Sequence, residues 1–353
     1  MRGERKPARR GEFDFIARLR SKIERRQAAA STLDPPPSSL VLGIGDDAAV
    51  LGQHTGSETV ITTDLLVEGV DFDLDNFKTA PRDIGHKALA VSLSDIAAMG
   101  ARPRFALLSV GVPAARWDTP FLDHFYRGVF ALADAHGVRI VGGDISRTPE
   151  RVVVDSIVLG EVARGRAVLR SGARAGDLVY VTGALGGAAA GLRLLQQRAR
   201  TGSPVKLNRS QRQLVLRQTR PTPRVAWGRL LGERRLATAM IDVSDGLSSD
   251  LAHLCRESGV GALVEASRLP LDPHLSRSAP GAEALPLALH GGEDFELLFT
   301  VRPRDAAKLP REVEGVRAAR VGFVTAAAGR VRLQEGDRVV NLKPAGFEHF
   351  ERS

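Results

Sequence analysis

Through its first half the chain alternates short apolar runs with longer helical patterns, and most junctions between them carry a glycine and a carboxylate. Runs at 40–42, 48–51, 60–63, 105–112, 139–141 and 152–160 read as strands bounded by turn residues. Pro81 suits the first turn of a helix, where a missing N–H costs nothing. Ile84, Ala88, Val91, Ile96 and Met99 supply that helix's apolar positions and Gly100 its end. A second helix is expected over 120–136, stopped by Gly137. Strands and helices in this order specify an α/β layer structure. The second half continues with strands at 177–182, 237–241, 295–301, 316–324 and 331–333 and helices at 187–195, 211–217 and 247–257. A length of 353 residues suits about two domains, and the glycine- and arginine-rich stretch 164–176 reads as their linker. Phe13, Ile16, Leu19 and Ile23 have helical spacing, whereas 27–39 reads as a loop.

Composition excludes several classes. A single cysteine, Cys255, rules out an intrachain disulfide and a thiolate metal cage, so a reducing cytoplasm is expected. No apolar run reaches the length of a membrane span, and no signal-peptide pattern is present. A net charge of +9 could indicate nucleic acid. Much of it, however, lies near the N-terminus, in Arg2, Arg5, Lys6, Arg9, Arg10, Arg18, Arg20, Lys22, Arg25 and Arg26. With aromatics at 5%, little is left for base stacking. Residues 1–10 read as a disordered basic tail, and no nucleic-acid partner is expected.

The carboxylates carry the chemistry. Gly43-Ile44-Gly45-Asp46-Asp47-Ala48 mimics a dinucleotide fingerprint, but its acidic pair would repel a pyrophosphate and no helix pattern follows. Val60-Ile61-Thr62-Thr63-Asp64 ends a strand on hydroxyls and a carboxylate. Asp95 lies in the last turns of a helix, where a negative charge opposes the macrodipole and invites a cation or an arginine such as Arg102. Asp144 follows two glycines after a strand, and Asp242 and Asp245 lie near a strand-to-helix turn. Any one of these is an ordinary turn residue. Six such residues at turns and element ends point instead to hard cations. All-oxygen ligands select Mg²⁺, Mn²⁺ or Ca²⁺, and the lack of paired His or Cys nearby argues against zinc. Several Mg²⁺ ions joining acidic side chains to a polyphosphate is the resulting expectation. P-loop, protein-kinase and serine-hydrolase signatures are absent.

In combination and order, a set of motifs resembles the thiamine-monophosphate kinase family, within the aminoimidazole-ribonucleotide synthetase-like superfamily. They are Gly11-Glu12-Phe13, Gly43 to Ala49, Thr62-Thr63-Asp64, Lys87 to Gly100, Gly142-Gly143-Asp144, Arg170-Ser171-Gly172-Ala173, Ile241 to Leu247 and Gly291-Gly292-Glu293-Asp294. The resemblance implies a two-domain α/β fold, with domains at 11–165 and 166–353, and a homodimer pairing its N-terminal sheets. It implies ATP-dependent phosphorylation of thiamine monophosphate to thiamine diphosphate with Mg²⁺. Carried over by motif, Asp47, Thr62, Thr63, Asp64, Asp95, Asp144, Asp242 and Asp245 are the implied metal ligands. Tyr126, Gly143, Asp144, Arg170 and Ser244 are the implied ATP contacts, and Asp71, Glu293 and Phe347 the implied acceptor contacts.

Asp71 departs from the family, which usually has histidine there. An ionised aspartate only accepts hydrogen bonds, so Asp71 is expected to face the vitamin portion and not the phosphate. No residue stands out as a general base, and an already ionised phosphate acceptor scarcely needs one, so direct in-line transfer is expected. Two alternatives remain at this stage: another ATP-using member of the superfamily with a different acceptor, and a basic nucleic-acid-binding protein.

Overall fold

The computed structural model describes residues 40–42, 49–52, 56–117, 119–201, 206–275 and 284–348. The tail at 1–10, the helix expected from Phe13 to Ile23, the loop at 27–39 and the turn bearing Asp47 lie outside them.

The first sheet contains β1 (Leu40–Leu42), β2 (Ala49–Gly52), β3 (Ser57–Val67), β4 (Arg102–Pro113), β5 (Arg139–Thr148) and β6 (Val153–Ala163) in the order β1-β2-β3-β6-β4-β5. All neighbours are antiparallel except β4 and β5. One face is covered by α1 (Pro81–Ala98), and α3 (Phe121–His136) packs on α1; the four-residue α2 (Ala114–Trp117) lies between β4 and α3. Along β6 every second residue is buried, the period expected of a strand with one covered face.

Helix α1 organises the molecule. Pro81 is its first residue, and Gly100, just past its end, adopts φ 67°. It is buried on almost every side, including Lys87, Ser92 and Ser94. A helix buried all round belongs to a core, not a surface. Its contact with α3 is backbone to backbone. A Cβ on Gly85 would stand 2.0 Å from the Phe125 carbonyl oxygen, and one on Gly128 would stand 1.9 Å from that of Arg82. Gly128→Ala should therefore force the helices apart and cost about 1–3 kcal/mol, read as a lower urea midpoint with an unchanged m-value.

The second sheet has the order β13-β12-β9-β11-β7-β10-β8. Its strands are β7 (Leu178–Thr182), β8 (Ala237–Asp242), β9 (Gly261–Glu265), β10 (Leu297–Val301), β11 (Ala318–Thr325), β12 (Val331–Glu335) and β13 (Arg338–Asn341). Around it lie α4 (Gly187–Thr201), α5 (Arg209–Thr219), α6 (Val225–Glu233), α7 (Leu247–Ser258) and α8 (Ala284–His290). The second sheet has an apolar cluster of its own, around Val181, Ile241, Leu251 and Leu298, but part of this half packs on the first. Trp227 and Leu231 of α6, Met240 of β8 and Phe299 of β10 join the cluster formed by α1 and the first sheet.

Three expectations change. Asp64 does not end a strand, because β3 runs on to Val67. Asp144 likewise lies inside β5, which continues through Gly142 and Gly143 to Thr148. The ladder to β4 tolerates this run because it shifts register between Ala106 and Leu107. Helix α6 and strands β9 and β13 were not expected; each is short, and only its tertiary partners fix it.

Candidate active site

Helix α1 presents polar groups to both halves of the chain. Toward the first sheet, Ser92 Oγ donates to Asp64 Oδ2 at 2.7 Å, and Asp95 Oδ2 accepts from Thr62 Oγ1 at 2.5 Å. Toward the second, Ser94 Oγ donates to Asp242 Oδ2 at 2.6 Å across a buried contact. About two turns nearer the N-terminus, Lys87 Nζ pairs with Glu293 and donates to the Asp71 carbonyl at 2.9 Å. A single rigid element thus sets the spacing of carboxylates that lie far apart in sequence.

The loops facing α1 are joined main chain to main chain. Glu293 N donates to Ser244 O at 2.7 Å, Phe295 N to Val243 O at 2.9 Å and Phe347 N to Asp245 O at 3.0 Å. Gly292 permits this approach: a Cβ there would lie 2.5 Å from Ser244 O. Glu293 and Phe295 adopt φ of 65° and 49°, an uncommon conformation for non-glycine residues that their surroundings must hold. Between these loops and α1 opens a cleft of about 280 Å³. Asp64, Asp71, Ser244, Asp245, Glu293 and Phe347 line it together with Lys87, Gln218, Val70, Leu192 and Phe295. Six expected site residues therefore share one cavity.

Other expected residues lie elsewhere. Asp95, Thr62 and Asp242 do not line it; Thr62, which bonds Asp95, precedes Asp64 on β3, and Asp242 precedes Ser244 at the end of β8. Thr63 is exposed and donates to Asp155 at 2.6 Å. Gly143 and Asp144 are exposed on the edge strand β5, with Asp144 in register with Ser109. Tyr126 is half-buried on α3, edge-on to Phe125 at 5.3 Å, and burial pushes its phenol up. Arg170 stands beside the end of α7, where its carbonyl accepts from Ser258 Oγ at 2.9 Å. The implied ATP contacts are thus dispersed: Gly143 and Asp144 on the β5 edge, Tyr126 on α3, Arg170 beside the end of α7 and Ser244 in the cleft. Asp71 lines the cleft, and its carboxylate accepts from Val67 N at 2.7 Å, holding its own loop.

Sequence reasoning missed Lys87, Gln218, Asp250 and Asp155. A lysine among the apolar positions of a core helix was a usable signal for Lys87; nothing local marks Gln218. Asp250 is buried and accepts from Asp245 N at 3.2 Å and Gly246 N at 3.0 Å. Burial, then the charges of Asp245 and Asp242, push its carboxyl well up. Asp294 also plays a structural part, accepting from Gly186 N at 2.6 Å and Ala188 N at 3.1 Å around the start of α4. Burial pushes its carboxyl up to about 7, from 3.8. The folded state therefore binds this proton more tightly than the unfolded chain. The resulting stability is complete below about pH 4 and is lost as pH rises through about 7. Asp294→Asn should flatten that decline, measured as urea midpoints across the same pH range.

Among the described residues no three His, Cys, Asp or Glu groups converge to hold an ion by themselves. The donor set beside the cleft is nonetheless all carboxylate and hydroxyl oxygen. It fits Mg²⁺, which usually takes one or two carboxylates and completes its shell with substrate phosphates and water.

Residues 45–162 match the family model described as AIR synthase related protein, N-terminal domain, and 174–334 match its C-terminal domain. The thiamine-monophosphate kinase of Salmonella typhimurium is 38% identical over 344 residues, covering 96% of this chain and 98% of that protein. The chain belongs to the thiamine-monophosphate kinase family. Among solved structures, the thiamine-monophosphate kinase of Stenotrophomonas maltophilia is 40% identical with a TM-score of 0.73, covering 87% of this chain and 94% of that one. The AaThiL complex with AMPPCP and TMP is 30% identical with a TM-score of 0.79, covering 98% of this chain and all of its own. The family's two-domain architecture accounts for the two mixed sheets found here.

Proposed function

We propose that this chain transfers the γ-phosphoryl group of ATP to the phosphate of thiamine monophosphate, giving thiamine diphosphate and ADP. The observation that carries this is a full-length relative that binds AMPPCP, an ATP analogue, and TMP together. The cleft supplies supporting chemistry: carboxylates beside apolar walls suit a ligand with a phosphate at one end and a heteroaromatic ring at the other. Asp64, Asp95, Asp242 and Asp245, with Thr62, Thr63, Asp144 and Asp47, would hold Mg²⁺. When bound, the metal offsets the repulsion between two phosphates and stabilises charge in the transferred group.

The chain's own residues orient. Ser92, Thr62 and Ser94 fix the rotamers of Asp64, Asp95 and Asp242. Lys87 and Gln218 fix Glu293, and Phe347 closes one wall. Arg170 and Ser244, with Gly143, Asp144 and Tyr126, are assigned to ATP, and Asp71 to the vitamin portion of the acceptor. Domains at 11–165 and 166–353 are the reading that the change of sheet after Ala163 supports. A homodimer would cover the open face of the first sheet, where Leu65 and Phe105 are exposed, and the β5 edge with Val141 and Ile145. Sedimentation should find a dimer, and Leu65→Arg should shift it toward monomer. No helix among the described residues is long and apolar enough to cross a membrane. The test of function is ADP release across a panel of acceptors. Thiamine monophosphate alone should support turnover; equal rates with unrelated phosphates would favour another activity.

A further inference from the structure

We propose that Gln218 reads the acceptor, its side-chain oxygen accepting a hydrogen bond from the exocyclic amine of the pyrimidine ring. This rests on the kinase reading. Gln218 lies near the end of α5, is 4% exposed, and lines both the cleft and a smaller pocket that continues from it. Its Nε2 donates to Glu293 Oε2, and the other Glu293 oxygen holds Lys87. A carboxylate only accepts, so the amide must turn its NH₂ toward Glu293 and its oxygen away. Flipping the amide would set two acceptors face to face. Gln218 Oε1 is thereby fixed, and it is buried with no hydrogen-bond partner among the described residues. Buried acceptors are rarely left so, and the residue that carries this one lines the cleft and its continuation, so a small turn of the side chain offers the oxygen to a ligand donor.

The acceptor's chemistry selects that donor. A thiazolium has no N–H, and an ionised phosphate only accepts. Of the three parts of thiamine monophosphate, the aminopyrimidine alone can donate. Val70 and Leu192, which line both the cleft and its continuation, give the flat ring apolar walls. The phosphate then points toward Asp64 and Asp245. Along α1 the two ends are marked by Lys87 and by Ser92, which bonds Asp64; five residues of helix separate these by about 7.5 Å.

The test compares thiamine monophosphate with its analogue carrying hydrogen in place of the amine, in wild type, Gln218→Met and Gln218→Asn. Wild type should lose at least about tenfold in kcat/KM on the analogue. Gln218→Met should use both substrates about equally, with KM for ATP unchanged. Gln218→Asn, which withdraws the oxygen by one methylene, should fall between and gives the same readout if the methionine variant does not fold. Equal use of both substrates by wild type, or full preference retained in the folded variants, would overturn the assignment while leaving the kinase reading intact. Loss of ADP release with thiamine monophosphate itself in wild type would overturn the kinase reading, and this inference with it.

Discussion

Asp95→Asn should lower kcat by about a hundred- to a thousand-fold with the fold intact. Asp95 is half-buried near the end of α1 and accepts from Thr62 Oγ1. An asparagine oxygen can keep that bond, so local structure should survive. What disappears is a negative charge at a helix C-terminus, where the macrodipole already disfavours it. Removing it should leave the apo protein as stable as wild type or slightly more so, while the charge proposed to hold Mg²⁺ is lost. Steady-state rates over a Mg²⁺ series, with thermal melts in parallel, separate the two effects. Normal turnover at limiting Mg²⁺ would remove Asp95 from the metal site.

The second large effect concerns stability. Arg224 and Glu296 form a buried ion pair, 8% and 1% exposed in their side chains. Arg224 Nε donates to Glu296 Oε2 at 2.5 Å, and Thr182 Oγ1 adds a bond at 2.7 Å. Arg224→Met strands a carboxylate in the core and should cost about 3–5 kcal/mol by urea unfolding. Adding Glu296→Gln removes the stranded charge yet keeps an acceptor for Thr182, so the double variant should be more stable than Arg224→Met alone. A double variant as unstable as the sum of its parts would show that packing, and not charge, sets the cost. The pair lies two residues beyond Asp294, so it also braces the strained loop that holds Glu293.

These two sites show what the sequence makes legible. The core of α1, its proline start and its glycine end were readable, because helical periodicity and caps are local. The carboxylates were readable as a class, since turns and element ends are also local features. Their partners were not. Ser94 meets Asp242 across 148 positions, and Gln218 meets Glu293 across 75; no spacing rule reaches that far. Asp64 and Asp144 were misplaced at strand ends because the threonines and glycines near them suggest a turn, whereas ladder pairing with β6 and β4 carries both strands onward. Helix α6 escaped notice because its nine residues acquire a buried face only through distant partners, α1, β4 and Phe299 of β10. The Gly-Gly-Glu-Asp motif was readable as a site, but not the division of labour within it. Gly292 permits backbone contact, Glu293 faces the cleft, and Asp294 supports α4.

Direct phosphoryl transfer to thiamine monophosphate is tested most sharply by following the γ-phosphoryl group of labelled ATP. The label should appear in thiamine diphosphate in proportion to the ADP formed, with none retained on the protein after a single turnover. Label released as inorganic phosphate whether or not thiamine monophosphate is present, or trapped on the protein, would contradict the account.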